Sequence, residues 1–339
     1  MGNGVTDVAT MDDIAKRLGI SKGTVSKAFS GAGDVSEAMR RSVLETAVEL
    51  GYTRQVRGWE APRLCVFIEN VAYARPEDFG WGLVTGFRKL AEPDGWQVDL
   101  VPLSDELQRQ YRYDAYMLRH NYQGGFFLGN TLSDPWTSEF RICRTPTVLL
   151  DNHNQYNPQV TQVGIDNDEA MESAVRDLTQ LGHRRIGYLS PGLGSYIYQE
   201  RCRAFFRALR IHHLEDDREL AGHSDDLNQC LEVHLPRLLE RGCTAIQCSH
   251  DLLAREVLLR CLALGKAVPG DVSILGIDDL PVCRELTPTL SSIRQDRTEL
   301  GKSAYYALNS QIHHVHISCL KLHSELILRG SVGQRQAAP

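Results

Sequence analysis

The segment from Thr10 to Ser30 constrains this chain more than any other. It reads as one helix, a tight break at Gly19-Ile20-Ser21, and a second short helix whose outward face carries small hydroxyls and lysines. Met11, Ile14, Ala15 and Leu18 recur at the spacing of one helical face, so that side must pack on something. Thr10, with Asp13 three residues later, has the form of a capping box, which satisfies amides that a first helical turn leaves without partners. Gly19 supplies freedom for a sharp turn, and Ser21 can cap a second helix with Val25, Ala28 and Phe29 inward. Lys22, Gly23, Thr24, Ser26 and Lys27 then face outward. Ser36 caps a third helix with Met39, Val43, Ala47 and Leu50 inward, and Gly51 stops it. This is the pattern of a helix-turn-helix, whose second helix lies in a DNA major groove while the first crosses the phosphate backbone. An ordinary helical hairpin with a polar outer face is the alternative. Turn, caps and exposed face together favour the DNA reading.

The runs Thr10-Met11-Asp12-Asp13-Ile14-Ala15 and Gly19-Ile20-Ser21-Lys22-Gly23-Thr24-Val25-Ser26-Lys27 resemble the LacI/GalR family of bacterial regulators, and Asp34-Val35-Ser36 and Leu50-Gly51-Tyr52 continue the likeness. The resemblance implies a headpiece, a hinge and a two-lobed, periplasmic-binding-protein-like core that senses a sugar. Later landmarks fit it: Gly164-Ile165-Asp166-Asn167, Leu181-Gly182-His183-Arg184-Arg185-Ile186-Gly187, Gly276-Ile277-Asp278-Asp279 and Ile293-Arg294-Gln295-Asp296. The linker departs from the family. Its usual hinge has a proline soon after the tyrosine and a leucine that wedges into the minor groove. Here Arg54 stands in the proline's place, no leucine precedes Pro62, and the segment is a few residues short. Trp59 is a candidate substitute wedge, packing on its own domain being the alternative.

With 339 residues the chain is too long for one small core. A net charge of −6 looks wrong for a nucleic-acid binder, yet through Arg57 there are eight basic and seven acidic side chains, leaving +1 on the headpiece and −7 on the rest. A headpiece so weakly cationic binds DNA modestly by counterion release, so two copies in a homodimer are expected to share the task. The nine cysteines are scattered without a Cys-x-x-Cys and read as reduced, mostly buried thiols. Met1 to Ala9 shows neither a cationic start nor an apolar run, and no stretch approaches the ~20 apolar residues of a membrane span. A cytoplasmic protein without membrane contact is expected.

From Leu64 onward short apolar runs alternate with helical patterns. Strands are expected at 64–68, 96–101, 124–128, 147–150, 162–165, 185–189, 245–248 and 272–276, with a helix near 82–90. The fold class expected is α/β: an all-α helix-turn-helix headpiece (1–53), a linker (54–63), and a core (64–330) of two doubly wound parallel sheets. Lobe 1 would hold about 64–160 and 292–317, and lobe 2 about 161–291 and 318–330. The crossovers implied by the resemblance then fall near Thr161, Ser291 and Ser318, and the polar stretch 331–339 is expected to be a loose tail.

A ligand between such lobes sits beyond the carboxyl ends of the strands. The resemblance places Arg201 where an arginine forks onto sugar hydroxyls, and five fixed donors suit a polyol. Asp278 follows a strand and offers an acceptor carboxylate. His250 stands where many relatives carry asparagine, and Gln295 matches a position near the lobe interface. Phe79 and Trp81 are candidates to stack on an apolar sugar face. For DNA the candidates are Lys22, Gly23, Thr24, Ser26 and Lys27, with Ser21, Thr10, Arg54 and Arg57 beside them. The partners expected are a pseudo-palindromic operator, a small effector of carbohydrate type and a second copy of the chain.

The rival classes are an α/β enzyme or a solute-binding receptor acting on a carbohydrate. Ser190-Pro191-Gly192 lacks the upstream glycine of a nucleophile elbow, because Tyr188 occupies that place. Gly192-Leu193-Gly194 lacks the third glycine of a dinucleotide loop, so no cofactor is expected. His313, His314, His316 and His323 straddle an expected strand without a completing cysteine or carboxylate pattern, so no metal is expected either. A receptor for transport would need an export signal.

Overall fold

The computed structural model describes residues 9–52, 61–153 and 156–335. The headpiece is three helices, α1 (Met11–Leu18), α2 (Lys22–Ser30) and α3 (Glu37–Leu50). Each is capped as its sequence requires. The Thr10 and Asp13 side chains exchange hydrogen bonds with one another's amides, Ser21 Oγ accepts from the Thr24 amide, and Ser36 Oγ accepts from the Met39 amide. Gly19, Gly31 and Gly51 close the three helices in left-handed geometry that a β-carbon would strain. Ile14, Val25, Phe29, Val43, Leu44 and Ala47 form the shared core, and Tyr52 stacks on Phe29 with ring centroids 5.2 Å apart.

Lobe 1 opens with β1 (Arg63–Ile68), α4 (Phe79–Ala91), β2 (Gln97–Pro102), α5 (Asp105–Gln110), α6 (Tyr113–His120), β3 (Tyr122–Leu128), β4 (Thr147–Leu150) and β5 (Val160–Ile165). The chain then crosses into lobe 2 with α7 (Asn167–Gln180), β6 (Ile186–Ser190), α8 (Tyr196–Ile211), β7 (Ala221–His223), α9 (Leu227–Gln229), α10 (Leu235–Glu240), β8 (Ala245–Cys248), α11 (Asp251–Ala263), β9 (Ser273–Asp278), α12 (Val282–Glu285) and β10 (Ser291–Arg294). It returns as α13 (Arg297–Ile312) and β11 (Cys319–Leu322), and crosses again for β12 (Glu325–Ile327). The two sheets run β11-β5-β4-β3-β1-β2 and β12-β10-β9-β8-β6-β7. All pairings are parallel except that of β12 with β10. Short apolar runs buried on both faces, joined by crossover helices, give this arrangement.

Two expectations are corrected. The crossovers follow Ile165, Arg294 and Leu322 rather than falling near Thr161, Ser291 and Ser318, because β5 and β11 belong to the first sheet and β10 to the second. An apolar run announces a strand but not the sheet it joins. The stretch after Gly330 is docked, not loose, as far as Arg335. Ser331 is fully buried, its Oγ donates to the Ile274 carbonyl at 2.6 Å, the Ile274 amide donates to its carbonyl, and the Arg335 amide donates to the Leu181 carbonyl. Small polar residues here satisfy main-chain groups beside β9, which composition does not announce. His313, His314 and His316 precede β11 and His323 follows it beside Glu169, so the four histidines straddle that strand as expected. The cysteines are free thiols, buried except for Cys319, and no helix among the described residues is long and apolar enough to cross a membrane.

The headpiece also touches lobe 1. Ala115 and Leu118 of α6 join its apolar cluster, and Glu37 pairs with Arg119.

Candidate DNA interface and effector cleft

The outward face of α2 is solvent-exposed at Ser21, Lys22, Gly23, Ser26 and Lys27, while Val25, Ala28 and Phe29 are buried. Its two cations are held by neighbouring carboxylates. Lys22 Nζ lies 2.6 Å from Asp12 and Lys27 pairs with Asp34, which pulls the Asp34 carboxyl below its ordinary range. Exposed pairs of this kind cost little to break, so a phosphate can take the place of either carboxylate. Ser21 Oγ and Thr24 Oγ1 lie 2.9 Å apart within the cap, and the Thr10 hydroxyl is engaged by Asp13 at 2.6 Å. These hydroxyls shape the helix starts before they meet any ligand. Arg54, Arg57 and Trp59 lie outside the described residues.

In the core, sequence-predicted residues from separate elements converge. Arg201 in α8 is 4% exposed, its Nε donates to Asn167 Oδ1 at 3.3 Å, and its Nη1 donates to the Ser249 carbonyl at 2.6 Å. The remaining nitrogen, Nη2, stands 4.0 Å from both Asp151 at the end of β4 and Asp278 at the end of β9. One guanidinium is thus bracketed by a carboxylate from each lobe, beyond direct hydrogen-bonding range. Both aspartates take positive φ, 49° and 116° respectively, a backbone state that side chains other than glycine rarely hold. Gln295 Nε2 donates to Asp278 Oδ1 at 2.5 Å, so the second crossover is tied to the same carboxylate. Burial pushes Asp278 up to about 7 against the pull of Arg201, and burial likewise raises Asp151.

His250 caps α11. Its Nδ1 accepts from the Leu253 amide at 3.1 Å, which leaves the ring proton on Nε2. Burial, then the Arg201 charge, hold its pKa down to about 4, so it is a neutral donor at ordinary pH. The Tyr198 ring lies 6.0 Å from it, and the Tyr198 phenol, raised chiefly by burial, also senses Arg201, Asp278, Asp225 and Asp151. Phe79 is apart from this group and packs on the main apolar core. Trp81 is half-exposed and lines a groove of about 320 Å³ with Asp279, Arg294, Gln295 and Arg297.

Asp151, Tyr198, Ser249 and Asn130 were not singled out from sequence. For Asp151 the signal was available, since it follows an apolar strand just as Asp278 does. Among the described residues, buried side-chain atoms without a partner include Asn130 Nδ2 and Oδ1, Asp151 Oδ1, Ser249 Oγ and Gln295 Oε1. They sit at the carboxyl ends of β3, β4, β8 and β10, drawn from both lobes. Unpaired buried polar atoms are costly, and a concentration of them at converging strand ends suits a polar ligand. The lobes already meet there: His153 stacks on Tyr196 at 5.5 Å and the Leu132 amide approaches the Gly194 carbonyl at 3.4 Å.

A helix-turn-helix head with a free polar face, carried on a two-lobed core with a polar cleft, defines the class of ligand-responsive DNA-binding regulators. The comparisons agree. The family model for bacterial regulatory proteins of the lacI family matches residues 10–55, and that for a periplasmic binding protein-like domain matches residues 175–332. The HTH-type transcriptional repressor CytR of Escherichia coli (strain K12) is 27% identical over 333 residues, covering 95% of this chain and 96% of its own. The solved structure of a transcriptional regulator CelR-cellobiose complex superposes with a TM-score of 0.70 and 26% identity over 95% of this chain and 99% of that one. The lac repressor dimer bound to operator shares the fold at a TM-score of 0.65 and 20% identity, covering 96% of this chain and 100% of that one. The chain belongs to the LacI family of transcriptional regulators, joining a DNA-binding helix-turn-helix to a core of effector-binding type.

Proposed function

We propose that this regulator works in the cytoplasm as a homodimer that places two headpieces on an approximately palindromic operator and releases or grips it when a carbohydrate binds between the lobes. Twofold symmetry of the protein is imposed on the half-sites. Lys22 and Gly23 lie nearest the base edges, Thr24, Ser26 and Lys27 meet edges and phosphates, and Ser21, Thr10, Arg54 and Arg57 serve the backbone. In the cleft Arg201 donates to effector hydroxyls, Asp278 and Asp151 accept from them, His250 donates through Nε2, and Gln295 couples the contact to the crossover. Trp81 covers an edge of the ligand.

The observation that carries this reading is the Arg201 guanidinium held between Asp151 and Asp278, one from each lobe. A polyol hydroxyl is both donor and acceptor, so it can bridge the guanidinium and either carboxylate. Its binding would then favour one relative orientation of the lobes. A differential affinity of about 1–3 kcal/mol between two orientations changes DNA binding about 5- to 150-fold. The test is a thermal-shift screen of the purified protein against mono- and disaccharides, cellobiose among them, with nucleosides as the contrasting set. A sugar should raise the melting temperature, and the Arg201→Ala/Asp278→Asn double variant should lose that shift while keeping operator affinity. Retention of full ligand affinity in the double variant sinks this assignment of the cleft.

A further inference from the structure

The headpiece has a built seat on lobe 1. α6 carries two apolar faces: Tyr113, Tyr116 and Met117 enter the lobe 1 core, while Ala115 and Leu118 join the headpiece cluster of Val43, Leu44 and Ala47. Ala115, Leu118 and Arg119 fall at the spacing of one helical stripe, and Ala115 is only 3% exposed. Around this apolar contact lies a polar one. The Glu37 carboxylate, in the first turn of α3, pairs with Arg119 and accepts from the Tyr111 hydroxyl at 3.2 Å, and Arg119 Nη1 donates to that hydroxyl at 3.0 Å. The guanidinium carbons of Arg119 and Arg41 lie 5.1 Å and 6.0 Å from the Tyr111 ring centroid. The Arg119 hydrogen bond, with the adjacent charge, holds Glu37 below the usual carboxylate range. Apolar, ionic and cation–π contacts therefore coincide at one place.

Two further observations say what the seat is for. The α2 face that would read DNA is still exposed in the seated form, so the contact does not block the headpiece. The linker sequence lacks the proline and leucine of the family's usual hinge, having Arg54 and no leucine before Pro62. We propose that α3 on α6 is the interface that fixes the headpiece's orientation relative to lobe 1, in place of a hinge wedged into the minor groove. α6 runs directly into β3, and the carboxyl end of β3 supplies Asn130, whose two side-chain polar atoms are buried without partners. A ligand contact at Asn130 thus has one strand and one helix between it and the headpiece. The step toward DNA rests on the regulator reading above, whereas the seat itself does not.

The experiment uses the full chain and two substitutions confined to lobe 1, Arg119→Glu and Leu118→Asp, which leave the headpiece's own residues intact. Hydrogen exchange should quicken roughly tenfold across residues 37–50 and 113–120 in both variants, with lobe 2 unchanged. Affinity for a duplex recovered by unbiased selection with the wild-type protein should fall roughly tenfold, as loss of a coupled contact predicts. Adding Glu37→Arg to Arg119→Glu should restore part of both. Wild-type exchange across 37–50 in both lobe 1 variants overturns the seat. Quickened exchange with undiminished DNA affinity overturns its role in orientation. If the wild-type protein selects no duplex at all, the regulator reading fails, and the exchange measurement still decides whether the seat exists.

Discussion

Lys22 and His250 show how a single side chain's local partner sets what it can do for a ligand. Lys22 is presented by α2 and paired, among the described residues, with an exposed carboxylate, Asp12. Exchanging that partner for a guanine edge gains more than it loses, since exposed ion pairs contribute little while a good base contact discriminates by about 1–3 kcal/mol. Lys22→Ala is therefore expected to weaken the preferred operator by about 1–3 kcal/mol and flatten its sequence preference, read by titration against operator and scrambled duplexes. An equal loss on both would show that Lys22 only holds the backbone. His250 is governed by burial. With its folded pKa near 4 and an ordinary value of 6.5, the unfolded chain takes up a proton that the folded chain refuses. Its contribution to stability is therefore intact above about pH 6.5 and falls as the pH drops toward 4, by up to roughly 3 kcal/mol. Asp278, raised to about 7, works in the opposite direction, gaining a proton on folding as the pH falls. The two are separated by His250→Asn, which should remove the acid-side loss from a urea-unfolding series between pH 7 and pH 4. An unchanged pH profile would show that His250 is not the group responsible.

Between elements, α4 and α13 pack closely against each other beneath the first sheet. Gly86 and Gly301 allow it. A β-carbon at Gly86 would run into the Thr298 carbonyl, and one at Gly301 into the Leu83 carbonyl, so the two backbones approach more closely than any other residue would permit. Gly301→Ala should destabilise the chain by roughly 1–3 kcal/mol or more, measured as a lowered melting temperature, despite alanine's better helix propensity. A neutral or stabilising result would mean that the helices can part at no cost. What the sequence made legible follows the same division between local and non-local causes. α1, α2 and α3 were readable to within a residue because their caps and stops are written locally, in Thr10, Ser21, Ser36, Gly19 and Gly51. The strands were readable as apolar runs. Their allocation to sheets was not, because β5, β10 and β11 choose partners far away in the chain, as does Ser331 in its docking beside β9. In the candidate cleft, Arg201, Asp278, His250 and Gln295 were named from sequence and the fold brings them together, whereas Asp151 was passed over although its place after β4 carried the same mark.

Across the whole molecule, charge is partitioned against the task. A headpiece of +1 sits on a body of −7, so the body repels a duplex and the reading face alone must supply attraction. Within about a Debye length, ~8–10 Å at physiological salt, only residues near α2 count. Phosphate contacts release counterions, and the slope of log affinity against log salt measures how many. Lys27, in the last turn of α2 and paired, among the described residues, with exposed Asp34, is the residue best placed to contact phosphate without reading a base. Removing one phosphate contact lowers the slope by about 1, so Lys27→Ala should lower it by about 2 if two headpieces bind together, and by about 1 if one binds alone. The affinity loss should be nearly uniform across operator variants, in contrast to that of Lys22→Ala. A slope unchanged by the substitution would remove Lys27 from the phosphate contacts. A change of about 1 would argue that a single headpiece is engaged, and the symmetry proposed for the operator would then fall with it.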